Sequence, residues 1–202
     1  MRAKQLTRTI IETDVTAEPV TLAQAKHFMR ETSTAQDALI EQTLIPSARR
    51  AVEDFLGRAL ITRTLKAYDD CFPRHQNVAL HLPYPPLVSV THIKYQDESD
   101  VQQTLDSSKY SVDVVSTIGR IVLKKSETWP STYDEAIDAV EIQFLCGYGS
   151  DPDNIPEDIA HAILETISHA YEFRERTVTG TIVAQIPQME MERIANYRIW
   201  TW

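Results

Sequence analysis

The sequence predicts an α+β protein: a helical bundle of two N-terminal helices and one C-terminal helix, an inserted antiparallel β-rich region, and an extended C-terminal tail. Three observations predict it. Apolar residues recur at three- and four-residue spacing over about 22–56 and again over about 156–175, the period of a helix with one buried face. Between these segments the period falls to two, with turn residues separating short apolar runs. Two tryptophans close the chain within its last three residues. The 202 residues, 43% of them hydrophobic, suffice for one domain with a substantial core.

Residues 1–19 read as an arm, with "LTRTII" as a candidate edge strand and "TDVTAEP" as a linker. A single domain is expected over 20–176, followed by a tail over 177–202. In "EPVTLAQAKHFMR", Thr21 followed by Gln24 is a capping-box pattern and Val20 a staple residue. A helix is predicted over 22–30, with Leu22, Ala25 and Phe28 or Met29 facing in. A longer helix follows over 35–56, with Leu39, Ile40, Leu44, Ala48, Ala51, Val52 and Phe55 on its apolar face. Pro46 falls inside that pattern and predicts a kink or a restart there, and Gly57 suits a left-handed cap.

The β-rich region spans 59–146. About six short strands are expected, in "ALITRTLKAYDD", "NVALHL", "VSVTHIKYQD", "YSVDVV", "GRIVL" and "DAVEIQFLCGY". The stretch Pro83-Tyr84-Pro85-Pro86 interrupts them. Its prolines fix φ and withhold ladder hydrogen bonds, so Pro83, Pro85 and Pro86 predict a rigid corner within one sheet or between two. The last helix is predicted over 156–175, with Pro156 at its first position and acids in its first turn. Ile159, Ile163, Leu164, Ile167, Ala170, Tyr171 and Phe173 are expected mostly inward.

Charge and motifs restrict function. A net charge of −9 disfavours gripping nucleic acid through its phosphates. No apolar run approaches membrane-spanning length, and the opening residues have no signal-peptide core, so assembly from the cytoplasm is expected, with no membrane partner. Cys71 and Cys146 read as unpaired thiols. Cys71 with His75 lacks an oxyanion motif. His161 with Glu165 and His169 reads as a solvated helix side with one ion pair. Asp69-Asp70 and "DPDN" read as turns, and Gly147 and Gly149 as the end of a strand. The sequence thus predicts no catalytic residue, no metal and no cofactor: not an enzyme. The aromatic tail remains. Met189, Met191, Ile194, Tyr197, Arg198, Ile199, Trp200 and Trp202 either fold back on their own core or dock on another subunit or partner.

In their order, "VTLAQAK", "ARRAVEDFLGRALIT", "LPYPPLVSV", "GRIVL", "VEIQFLCGYG", "IPEDIAHAI" and the closing "YRIW" resemble the head–tail connector proteins of tailed bacteriophages, also called adaptor or head-completion proteins, with relatives in gene-transfer agents. The likeness runs over nearly the whole chain from Glu18; Pro46 and the long arm before Glu18 depart from it. The resemblance implies a structural virion protein that forms a homo-oligomeric ring, usually dodecameric, beneath the portal protein and joins it to a downstream neck, stopper or tail protein. Genomic DNA passes through the lumen without specific binding. The location implied is the virion neck, with assembly in the host cytoplasm. It also implies that the C-terminal residues named above engage the portal or a neighbouring subunit. The alternatives are another neck protein, such as a stopper or tail terminator, or a small α+β ligand-binding module.

Overall fold

Alternating burial builds the strands and helical burial builds the rest, in a computed structural model that describes residues 3–133, 135–173 and 191–200. The chain is α+β and divides into two compact units. A β unit takes Met1–Val15 and Thr62–Tyr148; a helical unit takes Thr16–Ile61 and Gly149–Trp202.

The β unit holds two sheets. One has the order β1–β4–β8–β7, from Ala3–Gln5, Ala79–His81, Arg120–Leu123 and Tyr110–Asp113. The other has the order β2–β3–β9–β5–β6, from Arg8–Thr13, Arg63–Asp69, Val140–Cys146, Leu87–Gln96 and Gln102–Thr104. The first residues therefore supply a strand to each sheet. β1 pairs parallel to β4, and β2, carrying most of the predicted edge strand, pairs antiparallel to β3 at a sheet edge. Central β9 alternates strictly, burying Val140, Ile142, Phe144 and Cys146. Among the described residues seven strands lie between 59 and 146, against the about six expected. The additional one, β6, is fully exposed Gln102-Gln103-Thr104, whose polar residues carry no alternation to read. Gly119 leads into β8, where a Cβ would lie 2.4 Å from the Cβ of Leu87, so a side chain there would displace β5.

In the helical unit, α1 (Leu22–Met29) starts with the predicted capping box. Thr21 Oγ1 accepts from the Gln24 amide and Gln24 Oε1 from the Thr21 amide. Of its expected inward residues only Ala25 is fully buried; Leu22 and Met29 are half-buried and Phe28 is exposed, lying edge-on to His161. The second helical segment is composite: α2 (Asp37–Leu39), a π-helical turn over Ile40–Leu44, then α3 (Ile45–Leu56). Pro46 has no amide hydrogen to give to the preceding turn. The wider turn accommodates it, with the Ile45 amide reaching back five residues to the Ile40 carbonyl. α3 buries Ile45, Ala48, Val52 and Leu56, while Ala51, expected inward, faces solvent. α4 (Glu157–Glu172) packs against α1 and α3 through Ile159, Ala162, Ile163 and Ile167; Ala170 and Phe173, also expected inward, are exposed. No helix among the described residues is long and apolar enough to cross a membrane.

Candidate docking site

Residues 191–200 lie against the C-terminal end of α3. Gly57 caps that helix in the left-handed conformation (φ 65°), and its amide donates to the Glu53 carbonyl at 2.8 Å. The Leu56 carbonyl, otherwise an orphan of the helix end, accepts from the Ile199 amide at 2.8 Å. Arg58 donates through Nε to the Tyr197 carbonyl, at the end of a 3₁₀ turn over Ala195–Tyr197. The terminal segment thus completes a helix cap.

Side chains add to this. Ile194 is 0% exposed and anchors the segment in its own unit. The Arg198 guanidinium sits between two rings, 4.9 Å from the Phe55 centroid and 4.5 Å from the Trp200 centroid. Arg193 Nη1 donates to Glu165 Oε1 at 3.1 Å and contacts His161 Nδ1 at 3.3 Å. The helix side of His161 and Glu165 therefore carries an arginine from the tail. His161 and Glu165 lie 3.3 Å apart across one turn of α4.

Among the predicted docking residues, Ile194 faces inward, Met191, Tyr197, Arg198 and Ile199 are half-buried, and Trp200 is 60% exposed. Met189 and Trp202 lie outside the described residues. The described part of the tail folds back on its own unit through Ile194 and leaves the Trp200 indole exposed. Sequence reasoning did not find Phe55, Leu56, Arg58, His161 and Glu165 as the cradle. Gly57 was readable as a cap; that the free Leu56 carbonyl beside it would serve the Ile199 amide has no local signature.

The proline corner joins β4 of one sheet to β5 of the other. Tyr84 has φ 56°, the Pro85–Pro86 bond is cis, and the Pro86 carbonyl accepts from the Gly147 amide at 2.9 Å. Pro85 is buried and Tyr84 exposed. Cys71 and Cys146 form no disulfide; Cys71 is exposed and Cys146 buried. Lys4 Nζ bonds the Cys71 carbonyl at 2.6 Å and Asp69 Oδ2 at 3.0 Å, making residue 71 part of a strand-end tether.

Fold and surface together define an α+β protein whose terminal segment is docked at a helix end with its last described aromatic ring outward. The head completion protein model matches residues 18–190, and the chain belongs to that family. No curated protein sequence matches it. Among solved structures the chain is similar to one from the virion of a native gene transfer agent particle, at TM-score 0.76 and 21% identity over 97% of each chain. It is also similar to a chain of the neck of an empty gene transfer agent particle computed with C6 symmetry, at TM-score 0.77 and 21% identity over 97% of each. A third match, from the neck of a native particle computed with C12 symmetry, has TM-score 0.67 and 20% identity, again over 97% of each chain.

Proposed function

We propose that this chain is a non-enzymatic virion protein that forms the head–tail connector ring, with twelve copies seated between the portal and the next neck or tail protein. The observation that carries the reading is the family match over 18–190. Fold likeness to chains from particle necks computed with C6 and C12 symmetry supports a ring of this order. The surplus of acidic groups suits a lumen through which DNA slides, because clustered lysine and arginine would grip the phosphates. The segment from Met189 to Trp202 is the docking element for the portal or the neighbouring subunit. Ile194 and the α3 cap hold residues 191–200 of it in place, and Trp200 is the outward anchor.

The test is to image particle necks and to compare wild type with a Trp200→Ala/Trp202→Ala chain. Trp200 is largely exposed, so the variant is expected to fold. Truncating aromatic anchors removes about 2–4 kcal/mol of binding, so portal co-sedimentation should weaken at least tenfold. A neck that contains no copy of this chain overturns the reading. Unchanged portal binding by the double variant removes the tail from the interface.

A further inference from the structure

The five-stranded sheet ends on one side at an open edge. β2 is the longest edge strand, six residues against three for β1, three for β6 and four for β7. It pairs with β3, and no backbone group among the described residues bonds its outer side. Its charges do not guard that side. Arg8 pairs with Asp138 and lies over the Tyr68 ring, and Glu12 accepts from Lys66 Nζ at 3.2 Å, so both are held on the β3 side. Residues opposite one another in a ladder share a face. One row of the buried face therefore runs Ile11–Leu65–Phe144–Val90. Leu65 and Phe144 are 1% and 0% exposed, whereas Ile11, at the end of the row, is 56% exposed. A register shift follows Ile11, so Arg8–Ile11 is the regular part of the edge. The buried face thus stops one strand short. A strand with apolar residues on one face and no charge would complete it.

The sequence carries a stretch of that description outside the described residues. From Thr177 to Met189 it has no charged residue. Val178, Ile182, Ala184 and Ile186 fall at even positions and Thr177, Thr179, Thr181 and Gln185 at odd ones. That is the period of a strand with one apolar face, and Pro187 closes the stretch. The chain leaves α4 at Glu172, and Arg193 returns to Glu165 and His161 on the same helix. Those positions lie about 10–17 Å apart along a helix, while the intervening chain could reach about 70 Å if extended. Its length far exceeds what the return requires. We infer that Thr177–Ile186 of one copy adds as a strand to the free edge of β2 in the next, its even-numbered side chains continuing the Ile11–Leu65–Phe144 row. Main-chain hydrogen bonds supply the affinity of such a contact, and the alternation fixes which face turns inward. The edge and the segment are different surfaces, so the pairing is head-to-tail and suits ring closure, where an isologous contact would stop at a dimer. It rests on the ring reading above and names a contact within that ring.

Ile11 is largely exposed, so a photoreactive benzoylphenylalanine in its place should leave the β unit folded. Particles are assembled with the chain that carries the probe and are irradiated. A ladder of cross-linked copies is expected on a denaturing gel, with mass spectrometry placing the joint within residues 177–186. Separately, Thr181→Pro and Ile182→Pro remove amides from the two opposite edges of the added strand. One of the two should raise the concentration needed for ring assembly on the portal about tenfold, with the urea midpoint of the free chain unchanged. A neck ring of this chain in which the probe joins no second copy, joins it outside 177–186, or joins only its own chain or another protein overturns the strand contact and leaves the ring standing. Wild-type assembly by both proline variants does the same. A neck without a ring of this chain overturns both.

Discussion

In the β unit the buried charges sit at the two ends of one strand; in the helical unit they sit in the middle of a helix. Arg63 and Asp69 are the first and last residues of β3. A strand end adjoins loops, and Asp69 finds Lys4, the Thr7 hydroxyl at 3.3 Å and the Asp70 amide at 2.8 Å there. Arg49 and Glu53 lie inside α3 and are 2% and 4% exposed. Their partners come from further along the chain. Arg49 Nε bonds Glu18 at 2.8 Å, Nη1 bonds Glu53 at 3.0 Å, and Glu53 Oε1 accepts from the Leu60 amide at 2.9 Å. Burial works against the guanidinium's charge, but Glu18 and Glu53 outweigh it and hold its pKa above the ordinary arginine value. The difference teaches that the helical unit accepts charge only inside a closed network. That network ties the chain before α1 and the chain after α3 to the middle of α3.

An unpartnered charge in the helical unit should therefore produce the largest effect. Ile163 is completely buried on α4, and its neighbour Leu164 is half-buried. Ile163→Asp loses the transfer energy of the side chain and buries a carboxylate with no partner. A loss of at least about 4 kcal/mol is expected, enough to abolish the helical circular dichroism signal of soluble protein. Leu164→Asp, one position along, should keep the fold and lose about 1–2 kcal/mol in urea. Equal tolerance of both would mean that the Ile163 face of α4 is not packed.

The next effect opens the existing network. Arg49→Met leaves Glu53 buried without its cation, and about 3–5 kcal/mol of stability should go in urea denaturation. The double replacement Arg49→Met/Glu53→Leu removes both charges and should regain most of that loss. A double variant no better than the single one would show that Leu60 depends on the Glu53 carboxylate as its acceptor.

These charges also show what was legible beforehand. Apolar spacing places polar residues outside, so it gave Ala48 and Val52 inward and was silent on Arg49 and Glu53, whose burial depends on Glu18, 31 positions from Arg49. It put Ala51 and Ala170 inward, because a small apolar residue satisfies a helical period on either side of the buried stripe. β9 was legible since one of its faces is buried and the other only partly, which imposes alternation; β6 was not, as an exposed edge strand needs no apolar face. Pro46 announced a break, and the structure makes it a π-helical turn. At the docking site Trp200 could be read directly. The cradle of the segment lies far off in sequence, Arg58 being 139 positions from Tyr197, and Phe55 and Arg58 became visible only when the helix end and the tail were brought together.

The smallest effect tests the β unit's side of the comparison, where charge lies in loops. Asp113, at the end of β7, accepts from the Ser116 hydroxyl at 2.7 Å, the Ser116 amide at 3.1 Å, Arg120 Nε at 2.8 Å and the Val115 amide at 3.0 Å. These donors, the Ser116 hydroxyl foremost, hold its carboxyl far below the ordinary aspartate range. A carboxyl depressed in the folded state stabilises above its unfolded value of about 3.9, and that contribution fades as the pH falls below it. Wild type and Asp113→Asn should therefore differ in urea midpoint at pH 7, and the gap should begin to narrow below about pH 4 and close only as the pH falls through the depressed folded value, with Trp129 fluorescence reporting on the β unit. The site is solvent-exposed, so the difference should be smaller than either effect in the helical unit. Asparagine keeps one oxygen acceptor for the Ser116 and Val115 donors and loses the charge opposite Arg120. A gap between the two proteins that stays constant with pH would mean that the 113–120 loop is braced by hydrogen-bond geometry alone.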